Sequence, residues 1–247
     1  MSGCEDDDRR AAAYAEDART RFDALYERLP TWEIPGPQPA VTGLWERGLI
    51  RGLVLDAGCG TGENALFLAA RGLDVWGVDI SPSAIGMARA KAAARGLPVA
   101  RFLVADALRL DRLGMTFDTV IDSGLFHALS DGERDIYVPG LARIMRPGSM
   151  VHVLCTSDDE PGNDGPRRIL RAEITESFAG GWELLRIEAA RIERNISRGS
   201  ARAWLVTVRR TGEPAPERGR LARALAGRGR ARLAEARSGM GLTFSFT

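Results

Sequence analysis

Val54-Leu55-Asp56-Ala57-Gly58-Cys59-Gly60-Thr61-Gly62 is the stretch that decides the fold class. An apolar run, Leu53-Val54-Leu55, ends in an acid, and glycines follow at every second position. From Glu63 the pattern changes, with Ala65, Leu66, Leu68 and Ala69 sharing one face of a helical period. An unbroken apolar run of this kind reads as a buried strand of a parallel sheet, the glycines as a tight turn, and the rest as a helix. Glycine stands where the backbone takes dihedrals that other residues avoid, or where a ligand approaches without a Cβ in the way. The stretch therefore predicts a strand–turn–helix unit with a ligand laid against the strand end.

Spacing separates two ligand classes. A dinucleotide site wants Gly-x-Gly-x-x-Gly, with a helix N-terminus aimed at a pyrophosphate. Counting from Gly58, the third position is Glu63, a negative charge where the pyrophosphate would sit. A nucleoside ligand without phosphates fits better, which disfavours a nicotinamide oxidoreductase. Val75-Trp76-Gly77-Val78-Asp79-Ile80-Ser81-Pro82 repeats the strand-then-acid pattern. A carboxylate there has two acceptor oxygens for the two ribose hydroxyls; a capping carboxylate is the plainer alternative. Ser81-Pro82 is a helix start, N-cap then N1. A third strand, Arg101-Phe102-Leu103-Val104, runs into Ala105-Asp106-Ala107. A fourth, Phe117 to Ser123, runs into Gly124-Leu125-Phe126-His127.

These four motifs, in this order and with βα spacing, resemble the class I S-adenosylmethionine-dependent methyltransferases over residues 50–156. Their glycine loop has the form Asp/Glu-x-Gly-x-Gly-x-Gly, matched by Asp56, Gly58, Gly60 and Gly62. The resemblance implies a Rossmann-like α/β fold, a mostly parallel sheet with an antiparallel edge strand and helices on both faces. It implies that Asp106 takes the adenine amine and that the Ala107 N–H meets a ring nitrogen. The loop at Asp122 and Ser123 would face the methionine part. The flanks, Trp32-Glu33-Ile34 with Gly36-Pro37-Gln38-Pro39 and Pro161-Gly162 with Gly165-Pro166-Arg167-Arg168, are similar to the thiopurine methyltransferase-like branch. Within it the likeness is to the actinobacterial heterocyclic-toxin and quinone-type small-molecule methyltransferases, over residues 10–210. Pro35 departs from that pattern. The branch implies Trp32 and Gln38 as cofactor-side residues, although a hydrophobic staple at a helix end explains Trp32 equally well. The expected cofactor-binding set is thus Trp32, Gln38, Asp56, Gly58, Gly60, Gly62, Asp79, Ile80, Asp106, Ala107, Asp122 and Ser123, with no metal.

The implied chemistry is displacement at a sulfonium methyl, for which a protein supplies alignment and desolvation. A hydroxyl acceptor needs its proton removed, and His127 is the candidate general base: it follows strand four, and an ordinary imidazole pKa of about 6.5 suits the task. The alternative is a histidine packed under the loop. His152, inside strand five, reads as core. Arg167 and Arg168 are either substrate-closing cations or solvated surface charges.

Composition agrees with one α/β domain. The chain has 247 residues and a net charge of +1, so nothing draws it generally to nucleic acid or anionic membrane. Cys4, Cys59 and Cys155 form no CxxC pair. Glu5-Asp6-Asp7-Asp8 is unlike a signal peptide, and no run has transmembrane length, so a cytoplasmic location is expected. The expected organisation is a disordered segment 1–8, a methyltransferase domain 9–211 with a helical cap 9–45, and a basic Ala/Arg/Gly-rich tail 212–247. In that domain Arg9–Leu29 reads as a helix ended by Pro30, and Met150–Thr156 as strand five. Ser130 and Glu133 read as a capping box, with a kink at Pro139. Two strands near 182–194 and 201–210 should close the sheet.

The tail has seven arginines against three glutamates but few aromatics to stack bases, so it reads as an appendage. The favoured partner is a small, aromatic or heterocyclic acceptor of a methyl group at O, N or S. The alternatives are a methyltransferase acting on RNA or protein through the tail, and a non-catalytic cofactor-binding regulator. Asp122-Ser123-Gly124-Leu125 stands where base and glutamine amino-methyltransferases have Asn/Asp-Pro-Pro-Tyr/Phe. Oligomeric state stays open.

Overall fold

A computed structural model describes residues 15–28, 30–162, 164–195 and 199–212. The expectations for segment 1–8 and for the tail beyond Gly212 lie outside the described residues, as do Cys4 and the start of the first helix.

Seven strands form one sheet: β1 (Leu53–Ala57), β2 (Asp74–Asp79), β3 (Ala100–Val104), β4 (Phe117–Ser123), β5 (Met145–Thr156), β6 (Trp182–Glu193) and β7 (Ser200–Arg210). Their order is β3-β2-β1-β4-β5-β7-β6. The first five are parallel; β7 is antiparallel to both β5 and β6. The helices are α1 (helical at residues 15–25), α2 (Pro39–Glu46), α3 (Glu63–Ala69), α4 (Pro82–Ala94), a 3₁₀ turn (Ala107–Leu113), α5 (Asp131–Arg143) and α6 (Arg171–Ser177). Val54, Leu55, Val75, Val78, Val120 and Val151 are completely buried, as strands covered on both faces require.

The strand order reverses direction at β1, with β2 on one side and β4 on the other. At such a point the connections leave in opposite directions and open a crevice beyond the carboxyl ends of the strands. Register decides which acids reach that crevice. Asp56 is paired with Gly77 on one side and Ile121 on the other, and Asp122 lies between Ala57 and Val153. Asp79 pairs only with Val104, one step beyond the last β1–β2 pair, Ala57 with Val78.

Local signals shape the connections. Ser81 caps α4, its Oγ accepting the Ala84 N–H at 3.1 Å, with Pro82 at the first helical position. Ser130 and Glu133 close a capping box on α5, and Pro139 is held inside that helix. Strand β5 starts at Met145, five residues before its expected start. Met145 pairs with Phe117, and a register shift then absorbs Arg146-Pro147-Gly148, so a segment that reads as a turn is a bulge within the strand.

Candidate functional site

A cavity of about 720 Å³ opens over the β1–β4 crevice, within the range of roughly 300–1,000 Å³ usual for small-molecule sites. Of the expected residues, Trp32, Gln38, Gly58, Gly60, Gly62, Asp79, Ile80, Asp106, Ala107, Ser123 and His127 line it. Asp56 and Asp122 do not.

One end is built on the strand rim. The glycine turn folds back on β2, the Cys59 N–H donating to the Val78 carbonyl at 2.9 Å. Gly60 has a φ of +53°, and a Cβ there would lie 3.0 Å from Glu33 Oε1 and 3.1 Å from Tyr26 Oη. Only glycine meets both demands without strain. Asp79 sets the turn: its Oδ2 accepts the Gly60 N–H and its Oδ1 the Ser81 N–H, each at 2.9 Å. Each oxygen keeps further acceptor capacity toward the cavity. Burial raises the Asp79 pKa, and those N–H groups oppose the rise. Asp106 caps the 3₁₀ turn, its Oδ1 accepting the Leu108 N–H at 2.8 Å.

Glu63 stands at the N-terminus of α3, as its position implies. Its carboxylate is tied to Lys91 at 2.9 Å and Arg95 at 2.8 Å. Burial works against ionisation, but the two cations hold the group below the usual range. The first position of α3 is thus an acid tied to two cations on α4 and its C-cap, in place of the third glycine of a dinucleotide loop.

Asp56 and Asp122, both in the expected cofactor set, lie behind this lining. Paired on both sides within the sheet, both are fully buried, and each keeps one carboxylate oxygen without a hydrogen-bond partner among the described residues. Asp56 Oδ2 accepts the Ala65 N–H at 3.2 Å, steadying the first turn of α3. Asp122 Oδ1 accepts the Leu125 and Phe126 N–H groups, both at 3.0 Å, and so shapes the turn after β4. Burial, joined at Asp56 by the neighbouring Asp122 and Asp79 charges, lifts each pKa to about 7.

The opposite wall comes from the N-terminal segment. Trp32 stands edge-on to Tyr26, their ring centres 6.2 Å apart, and its Nε1–H donates to the Tyr26 hydroxyl at 3.2 Å. Glu33 accepts the Thr61 hydroxyl, and Lys91 donates to that same hydroxyl at 2.5 Å. Asp23 takes the Ser81 hydroxyl at 2.5 Å and the Ser83 N–H at 2.8 Å, docking α1 on the start of α4. Gln38 bridges to β6: its amide donates to the Glu193 carbonyl at 3.0 Å and accepts the Glu193 N–H at 2.8 Å. Asp23, Glu33, Thr61 and Lys91 escaped the sequence reading, because no local pattern marks contacts that join segments far apart in the chain.

His127 lies at the other end. The Thr156 N–H donates to its Nδ1 at 3.0 Å. Burial, then the Arg168 and Arg194 cations, push its pKa down to about 4. Arg194, just past β6, lines the cavity and pairs with Glu160 at 3.2 Å. Arg167 also lines it, paired with Asp131 at 2.5 Å and with Glu173. Arg168 does not; its guanidinium donates to the carbonyls of Glu160, Pro161, Gly162, Asp164 and Pro166 and so gathers the loop before α6. His152 is core, bridging Thr207 and the Leu49 carbonyl.

No described helix is long and apolar enough to cross a membrane, and the described residues hold no cluster of metal-ligating side chains.

The chain matches the model of a methyltransferase domain family over residues 54–148. It is 38% identical over 168 residues to 2-heptyl-1-hydroxyquinolin-4(1H)-one methyltransferase of Mycobacteroides abscessus, covering 67% of this chain and 74% of that protein. A solved structure from work on the conversion of a disulfide bond into a thioacetal group during echinomycin biosynthesis is 39% identical. It superposes with a TM-score of 0.72 over 84% of this chain and 99% of the other. The 1,6-didemethyltoxoflavin-N1-methyltransferase of Burkholderia thailandensis, with its S-adenosylhomocysteine and substrate bound, shares the fold at a TM-score of 0.62 and 22% identity, over 81% of this chain and 90% of that one.

Proposed function

Because the chain belongs to the S-adenosylmethionine-dependent methyltransferases, we propose that it methylates a small, flat aromatic or heterocyclic molecule. The observation that carries this reading is the continuity of the cavity. The rim built on Gly60, Asp79 and Asp106 shares one enclosure with an apolar wall of Phe22, Leu25, Trp32 and Leu129 and with His127 and Arg194. A flat, largely apolar molecule with a few polar atoms matches that lining.

The rim fits S-adenosylmethionine. Asp79 has acceptor capacity for two vicinal hydroxyls, a Cβ at Gly60 would press on Glu33 and Tyr26 across the rim, and α3 opens on Glu63 in place of the third glycine of a dinucleotide loop. In this reading Asp79 holds the ribose, Asp106 and the Ala107 N–H take the adenine edge, Ile80 packs beside the base, and Ser123 lies along the methionine part. Trp32 and Gln38 close the wall over the cofactor. Bound S-adenosylmethionine supplies an activated methyl: the acceptor's lone pair forms the new bond to carbon as the carbon–sulfur pair returns to sulfur. The chain's part is to align the acceptor and exclude water.

A methyl-transfer screen over hydroxyquinolones, phenols, thiols and N-heterocycles, reading S-adenosylhomocysteine, tests the proposal. Turnover of at least one class is the expected result. Turnover on RNA or protein alone would overturn it.

A further inference from the structure

The acceptor end has a polarity of its own. A backbone N–H only donates, so the Thr156 N–H at 3.0 Å makes His127 Nδ1 an acceptor. The neutral ring then bears its hydrogen on Nε2. Nε2 lies toward Gly124, 3.7 Å from where a Cβ on that glycine would stand, on the loop that leaves β4. Its one basic lone pair is directed at the strand, and a general base needs an accepting nitrogen directed at the substrate. The base role expected from sequence does not fit this ring; a hydrogen-bond donor does.

A second group points the same way. The Arg194 side chain is 14% exposed and lines the cavity. Its Nη2 pairs with Glu160 at 3.2 Å, while its buried Nε has no hydrogen-bond partner among the described residues. Buried donors are rarely left without an acceptor. The remaining charges here are engaged elsewhere. Glu133 closes the capping box on the Ser130 N–H, Glu160 also accepts the Arg202 N–H, Arg167 is held by Asp131 and Glu173, and Arg168 is held by loop carbonyls. Ser123 offers a hydroxyl that serves either way.

Resting on the small-molecule reading above, we propose that the acceptor is an acidic heteroaromatic or aromatic hydroxyl, or a thiol, bound as its anion, with the reacting atom on the His127 Nε2–H and its charge facing Arg194. A neutral hydroxyl in that position meets two donors and leaves its own proton without a fixed acceptor. The proton is lost to solvent on binding. An anion of charge −1 and a sulfonium of charge +1 then give a neutral methylated product and a neutral thioether, and no group on the chain has to take a proton.

4-Nitrophenol and 4-methylphenol, which ionise at well-separated pH, test this. With S-adenosylhomocysteine loaded, the absorption of bound 4-nitrophenol should be that of the phenolate below its free pKa, its ionisation constant raised roughly tenfold or more. His127→Ala and Arg194→Gln should each reverse most of that change, and His127→Gln, which keeps a donor, should restore part of it. In turnover, the pH–rate inflection should follow each phenol's own ionisation. His127→Ala should lower the rate roughly ten- to a hundredfold without moving the inflection. Arg194→Gln should act mainly on the KM of the acidic phenol. One inflection common to both phenols and lost in His127→Ala would restore the base and overturn the proposal. So would 4-nitrophenol bound neutral, or turned over no better than 4-methylphenol at neutral pH. Turnover of neutral N-heterocycles but of no phenol or thiol would leave the small-molecule reading standing and remove this one. A protein that binds cofactor and turns over no small acceptor would remove both.

Discussion

The two ends of the cavity are made differently. The rim comes from consecutive strand ends, all within residues 53–124, and works largely through backbone: the glycine turn, the N–H groups around Asp79, the cap at Asp106. The far end is gathered from α1, His127 in the loop after β4, the loop after β5 and the residue past β6, and works through side chains. Backbone geometry fixed by a sheet tolerates little change and serves one ligand. Side chains collected from remote segments are replaceable one at a time, so substrate choice belongs there.

If that division is right, mutations should sort by end. Gly60→Val should have the largest effect, abolishing S-adenosylmethionine binding in titration calorimetry, whereas His127→Ala should bind with wild-type affinity. Equal losses in both would break the comparison. Asp79→Ala should weaken cofactor binding by roughly 1.5–3 kcal/mol, as for the loss of charge-assisted hydrogen bonds.

The two inner acids should leave cofactor affinity unchanged and register in stability instead. Asp56 and Asp122 have folded pKa values near 7 against an ordinary 3.8, so the folded state holds extra protons between these values and loses stability as pH rises through that window. His127 and His152, depressed to about 4 from 6.5, act in the opposite sense, with stability rising from pH 4 to 6.5. The trends oppose and partly cancel across the overlap, where Asp79, also raised, adds to the carboxyl side. Asp122→Asn should tilt the profile relative to wild type by on the order of 1 kcal/mol per pH unit, stability falling further toward acid. A variant profile parallel to wild type would show that the carboxyl does not hold that proton.

Glu33→Ala, which frees the Trp32 segment from Thr61, should speed S-adenosylhomocysteine release a few-fold in stopped flow, for a loss of about 1 kcal/mol. Deleting residues 213–247 should have the smallest effect, leaving melting and cofactor affinity unchanged. A much lower melting temperature would make the tail part of the fold.

The fold was legible because its signals are local. Leu53-Val54-Leu55, the alternating glycines, Ser81-Pro82 and the Ser130–Glu133 box each mark an element within a few residues of chain. Asp79 was legible in the same way, and Asp56 and Asp122 look identical to it in sequence. What distinguishes them is one residue of strand register, a property of paired strands that a single strand does not carry. His127 was legible as a residue facing the site, but its role depends on which ring nitrogen meets Thr156. Arg194 and Glu33 had no local signature; only closure of the sheet brings them to the cavity.

The Gln38 bridge has a consequence outside the site. β6 is an edge strand, and its outward-facing main-chain groups are open to any extended segment that adds to the sheet. Gln38 occupies both groups of Glu193, Arg171 covers the Ile187 carbonyl at 3.3 Å, and Arg47 crosses to Glu188 at 3.2 Å. Among the described residues, these contacts interrupt the outer rim of β6 between Ile187 and Glu193. The amide that fixes one wall of the cavity thereby also caps the end of an open sheet edge, where a foreign strand would otherwise find a free donor and acceptor.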